Sequence, residues 1–389
     1  MSQELINLNS DLKKLRDEGY KIEVKSGVAL IDKIPYVNSK KQINYGTLVS
    51  TLILSGNKTI KPDNHVIYFI GDYPCNKDGT QINGIKHQSI TKTLADGVVV
   101  NHSFSNKPRN GYANYYDKFI RYIEIISAPA KSLDDSVTAK TFEIVNTEES
   151  SVFKYYDTNS SRAEIYEITK KLEKHKIGII GLGGTGSYVL DLVSKTPVQE
   201  IQLFDGDVFY QHNAFRSPGA PSIEKLEKRE KKTDYYKSIY SNIHKNIISY
   251  NENIQTSTLN RLDNLDFIFI CIDKGTIKRD IVDYLIEKKK PFIDLGIGIQ
   301  KVDDSLIGIV RTTLATSEKN THISNRISFA DGEKDEYSTN IQIAELNALN
   351  ATLGVIKWKK HIGFYQDLNK EYFTTYTINT GELNNEDEL

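Results

Sequence analysis

Residues 176–186, KIGIIGLGGTG, decide the fold predicted for this chain. The apolar run Lys176–Ile180 predicts a buried strand, and a helix is predicted from about Thr185 to Lys195. Glycines between a strand and a helix permit a tight turn and let backbone N–H groups approach a phosphate, to which the helix N-terminus adds partial positive charge. The segment therefore predicts a nucleotide-binding loop; its glycines are Gly181, Gly183, Gly184 and Gly186.

The chain around this loop alternates predicted helices and strands. The pattern predicts helices over 162–174, 223–249 and 276–288 and strands over 200–204, 266–272 and 291–295. Such alternation is typical of an α/β domain with a Rossmann-like, doubly wound, mostly parallel sheet. A strongly helical segment, Asn340–Lys359, has an apolar surface that we expect in the core or at a dimer interface.

The first part of the chain has a different pattern. After an early helix over Glu4–Glu18, short apolar runs separated by turn-rich segments predict a smaller α+β or mainly β domain. The polar stretch Lys140–Ser161 is interpreted as a linker. We therefore expect an accessory domain over 1–150, with a recruiting role for a substrate or partner, and a nucleotide-binding domain over 151–389.

Polar residues after the second predicted strand distinguish two kinds of nucleotide site. Asp205 follows the glycine loop at the distance where an acidic residue accepts hydrogen bonds from a ribose, which fits either NAD or ATP. A dehydrogenase needs no second carboxylate, amide or guanidinium at this position. A site for a triphosphate and a metal uses all three, since carboxylates can hold the metal and a guanidinium can neutralise phosphate charge. The segment supplies all three groups, as Asp207, Asn213 and Arg216.

The motifs GLGGTGS, FDGDV and HNAFR together resemble the signature of the ThiF/MoeB family, the ubiquitin-activating-enzyme-like adenylyltransferases. The resemblance covers the second half of the chain. It implies binding of Mg-ATP and adenylation of the C-terminal carboxylate of a ubiquitin-like protein or peptide, with release of pyrophosphate. The whole architecture resembles bacterial proteins that carry an accessory domain ahead of a ThiF-like domain, some tied to ubiquitin-like modification or phage defence.

The resemblance also implies a role for individual residues. Asp205 would bind the ribose, Asp207 would shape the nucleotide and Mg²⁺ site, and Asp273 would position Mg²⁺ and the α-phosphate. Arg162 is expected to act as an arginine finger that reaches the partner's ATP in a homodimer. The remaining phosphate contacts are assigned to Asn213, Arg216 and Lys237, with Lys225, Lys228 and Lys231 as competitors of Lys237.

Two departures from the family pattern concern a loop and a metal. Arg216 is followed by Ser217 where the family has glutamine, so the loop is expected to take a different path. The chain has only Cys75 and Cys271, so it lacks the paired C-x-x-C motifs and we expect no zinc. Cys271 is interpreted as a core residue.

Cys75 leaves two interpretations open. Neighbouring carboxylates are expected to raise its pKa, which favours a structural role. A reactive thiol on a conjugating-enzyme-like fold is the alternative.

The composition of the chain limits the classes of protein to which it can belong. The 389 residues are 26% charged with a formal net charge of −1, which removes any bulk electrostatic case for nucleic acid or an acidic membrane surface. No apolar stretch is long enough to span a membrane, and Met1–Ser10 does not resemble a secretory signal, so a cytoplasmic location is expected. An NAD(H)-binding oxidoreductase and a nucleotide-binding sensor or scaffold without turnover remain the alternatives to adenylation.

Overall fold

The computed structural model describes residues 2–145, 151–329 and 341–388. The chain divides into two units, the first comprising Met1–Glu148 and Tyr155–Ala163 and the second comprising Glu149–Lys154 and Glu164–Leu389. Within the described residues, no helix has the length and apolar character needed to cross a membrane.

The first unit is built on an antiparallel sheet. Its helices are α1 (Ser2–Leu8), α2 (Ser10–Asp17), α3 (Tyr115–Leu133) and α4 (Thr158–Arg162). Its strands are β1 (Lys21–Lys25), β2 (Val28–Val37), β3 (Ile43–Thr51), β4 (Leu54–Ser55), β5 (Lys58–Thr59), β6 (Val66–Ile70), β7 (Lys86–Gln88), β8 (Lys92–Ala95), β9 (Val98–Val100) and β10 (His102–Ser105). The main sheet has the order β1-β2-β3-β6-β10-β7.

Helix α3 covers one face of this sheet. Its buried residues Phe119, Tyr122 and Ile126 pack with Ile31 and Leu48 of the sheet in one apolar core. Because consecutive strand residues point to opposite faces, a smaller cluster around β9 covers the other face. The first unit is thus the α+β domain predicted from its short apolar runs.

The second unit contains the predicted parallel sheet. Its helices are α5 (Tyr166–Thr169), α6 (Gly184–Val193), α7 (Gln211–Ala214), α8 (Ile223–Glu227), α9 (Lys232–Tyr240), α10 (Gly275–Glu287), α11 (Ile323–Arg326) and α12 (Ala344–His361). Its strands are β11 (Lys176–Ile180), β12 (Glu200–Phe204), β13 (Ile247–Tyr250), β14 (Phe267–Ile270), β15 (Phe292–Val302), β16 (Ser305–Ala315), β17 (Glu371–Thr377) and β18 (Glu382–Glu388).

These strands form one sheet in the order β13-β12-β11-β14-β15-β16-β17-β18. The pairs from β13 to β15 are parallel, and β15 to β18 pair antiparallel. Residues of β14 alternate between two cores, since Phe267 and Phe269 pack with α6 and α12, whereas Ile268 and Ile270 pack with α10. Helices therefore cover both faces, and the predicted doubly wound α/β class is confirmed.

Three predicted helices were wrong in extent. The early helix predicted over Glu4–Glu18 is divided at Asn9 into α1 and α2. The segment 162–174 contains only the last residue of α4, then α5 and a 3₁₀ turn at Lys170–Leu172. The segment 223–249 is divided into α8, α9 and the start of strand β13. Between α8 and α9 the backbone amide of Lys232 donates to the Asp207 carbonyl at 3.0 Å and Arg229 has a positive φ of 47°, so the helix ends there.

Candidate functional site

The glycine loop lies where three parallel strands end together. Ile180, at the end of β11, is in register with Phe204 of β12 and Ile270 of β14. The loop packs closely on the neighbouring chain, because a Cβ on Gly181 would lie 2.8 Å from the Cys271 carbonyl oxygen. A Cβ on Gly183 would meet nothing within 4 Å. Helix α6 begins at Gly184 without a side-chain cap, so its first amides remain available to an anion.

A cavity of about 430 Å³ opens above this edge. Its apolar lining includes Ile180, Phe204, Ile254, Ile272 and Ile277. Its charged lining comprises five basic residues, Arg216, Lys232, Lys274, Lys278 and Arg311, and three acidic ones, Asp205, Asp207 and Asp273. An apolar wall beside an excess of basic groups suits a ligand with a flat base and several phosphates.

The two aspartates after β12 have different surroundings. Asp205 is buried, and its carboxylate accepts hydrogen bonds from the backbone amides of Leu182 at 2.7 Å and Asp207 at 2.8 Å. Asp205 therefore fixes the glycine loop against β12. The largely exposed Asp207 carboxylate accepts from Lys232 Nζ at 2.7 Å, and this hydrogen bond is the main reason that the pKa of Asp207 is lowered. Both aspartates line the cavity, and Asp207 has the more exposed carboxylate; the contact of Asp205 with a ribose stays a prediction.

Lys232, rather than the predicted Lys237, is the lysine of α9 that lines the cavity. Its ammonium lies 3.6 Å from Asp205 and 2.7 Å from Asp207, and its side chain is almost entirely buried. Lys237 lies about 1.4 turns farther along α9 and is not part of the lining formed by the described residues. The competitors Lys225, Lys228 and Lys231 are also outside that lining.

Asn213 and Arg216 lie close together in the chain, but only Arg216 faces the cavity. Asn213 is buried, and its side-chain oxygen accepts from the Tyr210 backbone amide at 2.8 Å, so it shapes the loop and does not line the cavity. Arg216 lines the cavity, and its buried Nε has no hydrogen-bond partner among the described residues. A buried guanidinium donor without an acceptor is costly, which favours an anionic ligand beside it.

Asn347 of helix α12 is a residue that the sequence interpretation missed. Its side-chain oxygen accepts from Thr185 Oγ1 at 2.9 Å, and its nitrogen donates to the Arg216 carbonyl at 3.3 Å. A Cβ on Gly184 would come within 2.1 Å of this side chain. Asn347 therefore joins the start of α6 to the loop that contains Arg216. Residues of α12 also pack in the core, which is one of the two locations predicted for this segment.

Lys278 of the cavity lining belongs to a buried ion pair. Lys278 Nζ is 2.9 Å from Asp294 Oδ1, and both side chains are almost fully buried. Cys271 lies close by, and burial, with the negative charge of Asp294, raises the pKa of its thiol. A thiol that stays protonated is consistent with the predicted packing role of Cys271.

Two predicted residues lie in the first unit. The Arg162 guanidinium is exposed and donates from Nη2 to the Asp17 carbonyl at 2.5 Å. Cys75 is buried, and its thiol donates to the Tyr73 carbonyl at 3.3 Å. Burial, and then the charges of Asp78 and Asp72, raise the pKa of Cys75. These surroundings favour the structural interpretation of Cys75 over the reactive one.

Comparisons with known families divide the chain in two. Residues 156–303 match the ThiF family, and residues 10–158 match a domain of unknown function, DUF6791. No curated protein matches the sequence.

Solved structures resemble the chain at low identity. Escherichia coli MccB with ATP is 19% identical, with a TM-score of 0.45 over 60% of this chain and 72% of that one. The microcin C7 biosynthetic enzyme MccB in complex with N-formylated MccA is 19% identical, with a TM-score of 0.47 over 59% and 71% of the two chains. PaaA is 16% identical, with a TM-score of 0.43 over 57% and 76%.

Proposed function

We propose that this chain, whose residues 156–303 belong to the ThiF family, catalyses ATP-dependent adenylation of the C-terminal carboxylate of a peptide or small protein. The observation that carries the proposal is the cavity above the glycine loop. It combines an apolar wall with five basic side chains at the open N-terminus of helix α6.

The arrangement supports an order in which the base, the ribose and the phosphates of the nucleotide lie one after another along the sheet edge. The base would pack on the apolar wall around Ile254 and Phe204, and the ribose hydroxyls would donate to Asp207. The phosphates would then lie over Gly183 and the first amides of α6, with Arg216 and Lys232 neutralising their charge.

The carboxylates at the cavity could hold Mg²⁺ only together with the phosphates of a bound nucleotide. The described residues contain no group of three or more His, Cys, Asp and Glu side chains that could hold a metal alone. Magnesium ordinarily binds through one or two carboxylates plus substrate phosphates, and Asp273 and Asp207 supply carboxylates at the cavity. When bound there, Mg²⁺ would neutralise phosphate charge.

The proposed reaction needs positioning and charge neutralisation more than proton transfer. A carboxylate oxygen attacks the α-phosphorus, the bond from that phosphorus to the bridging oxygen breaks, and pyrophosphate leaves with the electron pair. The acceptor is already ionised at neutral pH, so no general base is required. Arg216 and Lys232 would stabilise the leaving pyrophosphate.

We further propose that the acceptor is a ubiquitin-like protein or a peptide, that the enzyme acts as a homodimer in the cytoplasm, and that the first unit recruits the acceptor. A role in a modification or phage-defence pathway belongs to the same proposal.

ATP–pyrophosphate exchange is the direct test. The full chain is assayed with Mg-ATP and a pool of peptides that represent each C-terminal amino acid, and with small proteins encoded beside its gene. Exchange that depends on a free C-terminal carboxylate, and disappears with the amidated peptides, supports the proposal. ATP binding without exchange across all these acceptors would instead indicate a sensor or scaffold, and binding of NADH without ATP would indicate an oxidoreductase.

A further inference from the structure

Arg311 is a cavity residue that neither the motifs nor the proposed nucleotide contacts use. It lies on β16, opposite Gly296 of β15 in the antiparallel hairpin. The guanidinium lies across the strand, because a Cβ on Gly296 would be 2.6 Å from Arg311 Nη2 and 3.1 Å from Nε. Glycine at 296 leaves the space in which this guanidinium lies.

One nitrogen of the Arg311 guanidinium has no hydrogen-bond acceptor in the part of the chain that the structure describes. This nitrogen is Nε, which is buried. Two lysines of the cavity differ, since Lys278 is paired with Asp294 at 2.9 Å and Lys232 with Asp207 at 2.7 Å. Arg216 resembles Arg311, because its buried Nε also has no partner among the described residues, but Arg216 is already assigned to the phosphates. An arginine with an unused buried donor in a ligand cavity is suited to bind a carboxylate or phosphate.

The order of the strands decides between these two anions. Along the sheet edge, β12 presents Asp207, β11 presents the glycine loop, β14 is followed by Asp273, and then come β15 and β16. The proposed nucleotide extends from β12 to β14. Arg311 lies two strands beyond β14, on the side away from the ribose. An acceptor that attacks the α-phosphate in line must approach from a side that the nucleotide does not fill.

We infer that Arg311 binds the terminal carboxylate of the acceptor and directs one of its oxygens at the α-phosphorus. This inference rests on the proposed function. The guanidinium holds one carboxylate oxygen while the other forms the new P–O bond and pyrophosphate leaves with the electrons of the broken bond. Gly296 is the positioning residue, since it leaves space for the guanidinium.

The test separates binding of the acceptor from binding of ATP. A pool of tetrapeptides representing each C-terminal residue is prepared as free acids and as amides. Peptide binding to the full chain with Mg²⁺ and AMPCPP is followed by saturation-transfer NMR, and ATP binding is measured by calorimetry. Wild type should bind the acids more strongly than the amides. Arg311→Ala should weaken binding of the acids roughly 10- to 100-fold, because a charge-assisted bond is lost, and leave the ATP Kd within about twofold.

Two further variants protect the test against misfolding. Arg311→Lys keeps the charge but loses the planar fork, so its effect should be intermediate. Gly296→Ala displaces the guanidinium from the opposite strand and should reproduce the loss with Arg311 intact. The matched control is Arg261→Ala, which removes a partly exposed arginine that is paired with Glu252 and is not among the described residues lining the cavity, so it should change neither affinity.

The outcomes distinguish the inference from the proposed function. If wild type fails to bind ATP, the proposed function is wrong. If wild type binds ATP but does not distinguish acids from amides, or if Arg311→Ala leaves the acid affinity unchanged, the assignment of Arg311 is overturned. A loss of ATP affinity in Arg311→Ala, with peptide binding retained, would make Arg311 a phosphate ligand instead.

Discussion

At the scale of single residues, Lys232 and Lys237 provide a matched pair on one helix. Lys232 lines the cavity and contacts Asp207, whereas Lys237 does not belong to that lining. Lys232→Ala should weaken Mg-ATP binding roughly 10- to 100-fold, since a buried charge beside the phosphates is removed. Lys237→Ala should stay within about twofold of wild type. Calorimetric titration measures both, and the reverse order would restore the original assignment of Lys237.

Substitutions of Asp273 test the chemical step that follows ATP binding. We expect Asp273→Ala to abolish ATP–pyrophosphate exchange while ATP still binds measurably, because the carboxylate would act on Mg²⁺ and the α-phosphate and not on the base. Asp273→Asn keeps the size of the side chain and removes its charge, so it should resemble the alanine variant. Exchange at more than about a tenth of the wild-type rate in either variant would contradict this role.

Lys118 gives a prediction for pH and stability in the first unit. Its side chain is 1% exposed, its Nζ donates to Ser50 Oγ at 3.0 Å, and burial lowers its pKa from 10.5 to about 8, with Asp63 acting in the opposite direction. Between these two pKa values the unfolded chain binds more protons than the folded one. The stability contribution of Lys118 therefore rises with pH through this window, and its penalty is complete below pH 8.

We expect Lys118→Met to be more stable than wild type at pH 7 by roughly 1–3 kcal/mol, an advantage that shrinks toward pH 10. Thermal unfolding followed by circular dichroism at several pH values measures the gap. Lys131→Met, at an exposed position on the same helix α3, is the control for the effect of a lysine-to-methionine substitution itself. A gap for Lys118→Met that is constant with pH would show that the lysine does not titrate as burial requires.

At the scale of elements, a helix or strand was predicted correctly where its own residues determine it, and incorrectly where contacts with distant segments determine it. Strands β11 and β12 were predicted with their observed bounds, since each is a short apolar run ended by glycine or aspartate. The predicted helix over 223–249 was wrong, because contacts from residues 207–209 to residues 230–232 interrupt it. Such contacts join distant segments and have no period in the sequence.

Helix α12 allows a test of how elements support the site. Asn347→Ala removes the hydrogen bonds to Thr185 and to the Arg216 carbonyl, so ATP affinity should fall about tenfold while the fold is retained. Gly184→Ala should also weaken ATP binding, because its Cβ would come within 2.1 Å of Asn347.

The double variant Gly184→Ala/Asn347→Ala isolates that contact. Removing the Asn347 side chain relieves the steric conflict, so the two effects should combine to less than their sum in a double-mutant cycle. Additive losses of ATP affinity would contradict direct contact between the two positions. Thr352→Ala, a substitution at an exposed position of the same helix, is the control for general effects on α12.

At the scale of the whole molecule, the motifs predicted only the cavity residues that follow strands β11, β12 and β14 in the chain. Asp205, Asp207, Arg216 and Asp273 line the cavity and lie immediately after strands or in the loop that follows β12. Lys232, Arg311 and Asn347 reach it from α9, β16 and α12. Their places follow from the order of strands in the sheet and from helix packing, which a single sequence does not reveal.

The proposed homodimer makes a prediction about Arg162. This residue belongs to the first unit, and its guanidinium is exposed, as a finger that acts on a partner's ATP requires. If it acts in trans, an inactive Arg162→Ala chain and an inactive Asp273→Ala chain should complement each other. Random mixing gives half heterodimers with one intact site each, so exchange should recover to about a quarter of the wild-type rate.

The control mixture distinguishes this result from simple dilution. Arg162→Ala mixed with the double variant Arg162→Ala/Asp273→Ala contains no chain that can donate the arginine, so it should stay inactive. Differently tagged chains, captured together, establish that subunits have exchanged before the assay. If heterodimers form and activity does not return, the finger acts within its own chain or is absent. If the wild-type chain sediments as a monomer while catalysing exchange, the trans arrangement is excluded, because a lone chain then assembles every group that the reaction requires.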